Sequence, residues 1–141
     1  MYEVTLVVDT SIYAAGDLIS NPILIPGTSL SKPLLLQSIA LNDRAGQAAA
    51  MSFFLSLANT SHGTINSAPS ASVAVIENDF AWFSIATGDY LDLGDAAIAV
   101  KTGLGIICPP GPLYIGAING AGTPTYAAST NLRLRLGLLP L

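Results

Sequence analysis

Asn131-Leu132-Arg133-Leu134-Arg135-Leu136 alternates a polar residue with a leucine over six positions. An extended strand sends successive side chains to opposite faces, so this run puts three leucines on one side and both arginines on the other. It predicts a half-buried β-strand near the end of the chain. The same period returns in Met51-Ser52-Phe53-Phe54-Leu55-Ser56-Leu57, where Met51, Phe53, Leu55 and Leu57 share a face opposite Ser52 and Ser56. Phe54 breaks the pattern by joining the serine face.

Working outward, further strands are expected over 2–8, 12–18, 38–42, 81–86, 96–101, 105–108 and 113–118. The polar link Asp43-Arg44-Ala45-Gly46 predicts a β-hairpin joining 38–42 to the strand that begins at Met51. Gly, Pro, Asn and Asp clusters such as Pro26-Gly27-Thr28, Gly88-Asp89 and Pro109-Pro110-Gly111-Pro112 punctuate the runs. Helical periodicity is scarce, and only 70–79 has room for a helical turn or two. The pattern predicts an all-β chain: one antiparallel β-sandwich over residues 1–141, jelly-roll-like, with at most one short helical turn. An immunoglobulin domain would want a Cys…Trp…Cys arrangement, which is absent.

The size agrees with one domain, at 141 residues and 14.5 kDa. A chain of that mass buries roughly 14,000 Å² on folding. Composition is 51% hydrophobic and only 10% charged, with mean hydropathy +0.58. That weighs against intrinsic disorder, which needs low hydrophobicity and high charge. Five Lys plus Arg against nine Asp plus Glu give a net charge of −4, so a nucleic-acid partner is not expected. A membrane-spanning helix is not expected either. The longest uncharged stretch, 102–132, is broken by Pro109, Pro110, Pro112 and Pro124 and by six glycines. The N-terminal Met-Tyr-Glu-Val lacks the basic-then-apolar pattern of a secretory signal, and the lone Cys108 allows no internal disulfide. Synthesis in a cytoplasm is the expectation.

No constellation for chemistry emerges. His62, in Thr60-Ser61-His62-Gly63, reads as a solvated loop histidine, because adjacent Ser61 is poorly placed as a nucleophile and no Gly-x-Ser-x-Gly elbow exists. One His and one Cys cannot fill a zinc shell. Asp89, Asp92 and Asp95 recur every third residue and raise the possibilities of a cation site or a glycosidase acid pair. Side-chain-to-backbone bonding in turns explains them more simply. Cys108 reads as an inert buried thiol, Gly103-x-Gly105 lacks the rest of a dinucleotide fingerprint, and Arg133 and Arg135 solvate a strand face. The expectation is a non-enzymatic protein with no catalytic, cofactor or metal site. What stands out is apolar excess: Phe54 opposite Phe53, Trp82 beside Phe83, and the terminal Leu138-Leu139-Pro140-Leu141. Phe54, Trp82, Leu138, Leu139 and Leu141 are therefore the candidate contacts with other subunits or with a larger assembly.

Four segments occur in a telling order: Ile12-Tyr13-Ala14-Ala15-Gly16-Asp17-Leu18-Ile19, Leu36-Gln37-Ser38-Ile39-Ala40-Leu41-Asn42-Asp43, Tyr90-Leu91-Asp92-Leu93-Gly94 and Leu132-Arg133-Leu134-Arg135-Leu136-Gly137. In this the chain resembles a family of small head proteins of tailed bacteriophages, which form the outer decoration (cement) layer or belong to head-fibre assemblies. The resemblance covers about 12–139, and the loop 64–72 is less acidic than the family's. It implies a virion protein on the outer capsid surface, a homotrimeric β-sandwich that binds the major capsid protein and stabilises the shell. The runner-up is a head- or tail-fibre module recognising a glycan or receptor through Trp82 and Tyr90 with Asp89 and Asp92. A hydrolase using the acids of 89–95 comes third.

Overall fold

The alternating run lies in the last strand of the computed structural model, which describes residues 1–141. Nine strands form: β1 Tyr2–Thr5, β2 Leu18–Leu24, β3 Leu34–Asp43, β4 Met51–Ser56, β5 Asp79–Ile85, β6 Tyr90–Asp92, β7 Ala97–Cys108, β8 Tyr114–Asn119 and β9 Leu132–Pro140. They make a five-stranded sheet in the order β1-β9-β3-β7-β6 and a four-stranded sheet in the order β2-β8-β4-β5, antiparallel throughout. Without the short edge strand β6, the order is that of an eight-stranded jelly roll. Helix is confined to one turn, α1 Val73–Ile76, and a 3-10 turn at Thr87–Asp89. No helix is long and apolar enough to cross a membrane.

The leucines do what the alternation requires. Leu132, Leu134 and Leu136 are fully buried, and they meet Met51, Phe53, Leu55, Phe83 and Ile85 in one core. Phe53 and Phe83 stack across β4 and β5 with ring centroids 5.4 Å apart. Each such side chain contributes about 2 kcal/mol by leaving water. On the other side of β9, the Arg135 Nε donates to Glu3 Oε1 of β1 at 2.7 Å.

Three local expectations are corrected. The segment 12–17 is a loop, and the strand begins only at Leu18. Asp17 Oδ2 accepts the Ala14 N–H, and Gly16 takes a left-handed φ of 86°, so the apolar letters there close a turn. The two runs 96–101 and 105–108 form one strand, β7, which bends through Gly103 and Gly105 at positive φ. That bend faces the register shift in β3 between Leu36 and Ser38, so one irregularity accommodates the other.

The third correction concerns the hairpin. β3 and β4 belong to different sheets, and the link 44–50 crosses the end of the sandwich. Asp43 explains the crossing. Its carboxylate is fully buried and accepts the Ala45 N–H at 3.0 Å and the Ala48 N–H at 2.9 Å. A two-residue turn would leave that charge without these donors.

Apart from the β6–β7 pair, β4 and β5 are the only consecutive strands that share a sheet. The long segment between them, 57–78, therefore has no sheet to cross and lies against the outer face of the four-stranded sheet.

Removing the buried Asp43 carboxylate leaves two part-buried amides without their acceptor. Asp43→Ala is expected to cost about 2–4 kcal/mol, whereas the exposed neighbour change Arg44→Ala stays within about 0.5 kcal/mol. Urea unfolding midpoints measure both.

Candidate functional site

The outer face of the four-stranded sheet carries Ser52 and Phe54 from β4 and Trp82 and Ser84 from β5. Phe54 sits in register with Trp82 on one side and with Gly116 of β8 on the other. Gly116 has no side chain, and a Cβ there would overlap the Phe54 ring. The ring rests on bare backbone, and the imidazole of His62 closes over it at a centroid distance of 4.6 Å. The anomalous phenylalanine is thus buried within its own chain.

His62 is not solvated; it is 5% exposed. The segment holding it is tied to β2, since Asn21 Oδ1 accepts the His62 N–H at 2.8 Å and Asn21 Nδ2 donates to the Gly63 carbonyl. On the ring, Nδ1 lies 3.0 Å from the Thr60 carbonyl and Nε2 lies 2.7 Å from Asp79 Oδ2. Both ring nitrogens thus already have a partner inside the chain. Neither nitrogen is left to take a proton from a nucleophile. Ser61 Oγ bonds to the Gly63 backbone instead. The pair acts as a clamp that holds 57–78 on the sheet. Sequence reading missed Asp79, whose only signal was a charge at the end of the same long segment.

Between the clamp and Trp82 lies a cleft of about 560 Å³, walled by Phe54, Phe80, Trp82, Pro69 and Ile76. Asp79 Oδ1 and Thr60 Oγ1 are buried nearby with no hydrogen-bond partner.

The remaining candidates lie elsewhere. Asp89 Oδ2 accepts the Ala86 N–H at 2.8 Å and meets Lys101 Nζ at 3.0 Å. That amide first, and then Lys101, hold its carboxyl below the ordinary range. Asp92 Oδ1 caps the Gly94 N–H, so both acids serve turns, and no group of three or more His, Cys, Asp or Glu is placed to hold a metal ion. Tyr90 donates its hydroxyl to the Ala49 carbonyl at 2.8 Å. Neither it nor Asp89 or Asp92 lines the cleft under Trp82, so the expected recognition set does not assemble. Cys108 is buried as anticipated, and burial pushes its thiol up to about 11.

The interface candidates divide. Phe54 and Leu138 are buried inside the chain, while Trp82 (71% exposed), Leu139 (53%) and Leu141 (55%) reach solvent. Trp82 and Leu139 lie on opposite sheets. In the five-stranded sheet, Leu139 of β9 and Ile107 of β7 both pair with Leu35 of β3, making an apolar row across three strands on the outer face. Ile107 is 65% exposed, and neither it nor Leu35 had stood out in the sequence. Compared with known proteins, the chain matches no family model, no curated protein and no solved structure.

Two outcomes follow from the buried groups. His62→Ala removes the imidazole from both Asp79 and Phe54 and is expected to cost about 2–3 kcal/mol, less than a fully buried pair because Asp79 keeps some solvent. Limited proteolysis should then cut first within 57–78. In alkali, the Cys108 thiol rises from 9.0 to about 11 and the Tyr13 hydroxyl from 10.0 to about 12, both chiefly by burial. The folded chain keeps protons that the unfolded chain releases, so stability is full below about pH 9 and falls as the pH climbs towards 12. Urea midpoints at about pH 8 and about pH 10.5 measure the loss.

Proposed function

We propose that this chain is a non-enzymatic virion protein, a capsid decoration (cement) protein that binds the outer face of a tailed-phage head as a homotrimer. The observation that carries the reading is the row Leu139, Leu35 and Ile107, with Leu141 exposed at the end of the chain. An apolar row on the solvent side of a sheet calls for cover by another protein surface. The charges of that sheet face, Arg133 and Arg135 with Glu3, gather towards β1 and leave the row neutral.

The ordered resemblance of four segments to phage head proteins supplies the identity of the assembly. A decoration protein binds the assembled lattice and stabilises it by mass action. Three copies acting together gain through effective concentration, so each contact need only be modest. A net charge of −4 suits the outside of a shell better than its DNA-filled interior. The glycan-binding alternative keeps one supporting feature, the exposed Trp82, without the acids and tyrosine expected beside it.

In light scattering, the chain is expected at about three times its 14.5 kDa. The double change Leu139→Ser with Ile107→Ser, on exposed positions, should yield a folded monomer. A monomeric wild-type chain would sink the trimer. Heating virions with and without the protein tests cementing, which requires that DNA escape at a lower temperature when it is missing.

A further inference from the structure

We propose that the cleft on the four-stranded sheet is a binding site for one uncharged, ring-bearing small molecule. Its volume of about 560 Å³ falls in the usual range for such sites. The floor is already in place, because Phe54 is held between the Gly116 backbone and the His62 ring. Three aromatic side chains, Phe54, Phe80 and Trp82, line the space, which suits a ring in offset or edge-on contact.

Elimination by charge and hydrogen bonding narrows the class. No Lys or Arg lines the cleft, so a carboxylate, a phosphate or a fatty acid would lose water without gaining a counter-ion. A cation would meet a single carboxylate, Asp79, one oxygen of which His62 already holds. A sugar needs several partners for its hydroxyls. Ser52 Oγ is bonded to Ser84 Oγ at 2.8 Å and His62 to Asp79 Oδ2, which leaves the buried Asp79 Oδ1 as the one unpartnered acceptor among the lining side chains. What remains is a neutral ring with a single hydrogen-bond donor to offer Asp79 Oδ1.

Trp82 is the only tryptophan, so the site carries its own fluorescent reporter. The full chain is titrated with N-phenyl-1-naphthylamine, an uncharged probe excited by tryptophan emission. Saturable quenching of Trp82 by one probe per chain is expected, with displacement by 1-naphthol and not by 1-naphthoate. Ala71→Phe, which fills the cleft from the covering segment, should weaken binding by roughly tenfold or more, while Arg44→Ala, away from the cleft, leaves it unchanged. If Ala71→Phe does not fold, the exposed Trp82→Ala serves, with the probe's own emission as readout and the same loss expected. Non-saturating uptake, equal displacement by naphthoate, or unchanged affinity in the folded cleft variant would each overturn the proposal.

Discussion

Everything in this molecule depends on two sheets closing over one layer of leucine, isoleucine and aromatic side chains. Leu132, Leu134 and Leu136 can leave water only if a second sheet covers them, and that sheet supplies Met51, Phe53, Leu55 and Phe83. Because consecutive strands mostly alternate between sheets, the links between them must pass over the ends of the sandwich. Asp43 shows what such a crossing needs, a buried acceptor that satisfies the amides of a chain leaving its sheet.

The exception to that alternation creates the most distinctive feature. β4 and β5 stay in one sheet, and the segment joining them folds back over the outer face. A glycine at 116 admits the Phe54 ring, His62 covers it, and Asp79 holds His62. One chain of contacts thus turns an outward phenylalanine into a floor, and leaves a cleft between that floor and Trp82. The same contacts occupy both nitrogens of the only histidine, which ties it to architecture and away from proton transfer.

The high hydropathy is met in two ways. Part of it is hidden by covering the outer face of the four-stranded sheet, which accounts for Phe54. Part stays in water as the row across β9, β3 and β7. Nothing in the chain itself covers the row, whereas the cleft is partly roofed by the chain's own segment.

The all-β class, the inward face of Met51, Phe53 and Leu55 and of the β9 leucines, the short helical turn and the burial of Cys108 were legible in the sequence alone. Each depends on neighbours along the chain: side-chain direction alternates with period two, and a lone thiol in an apolar run has no local partner to ionise it. The sheet partners, the strand start at Leu18, the crossing at Asp43, the burial of His62 and the split between buried Leu138 and exposed Leu139 were decided only by the tertiary structure. These depend on residues distant in sequence: Asp79 for His62, Gly116 for Phe54, Leu35 for Leu139. A one-dimensional period says which way a side chain points, and only the pairing of strands says what it meets.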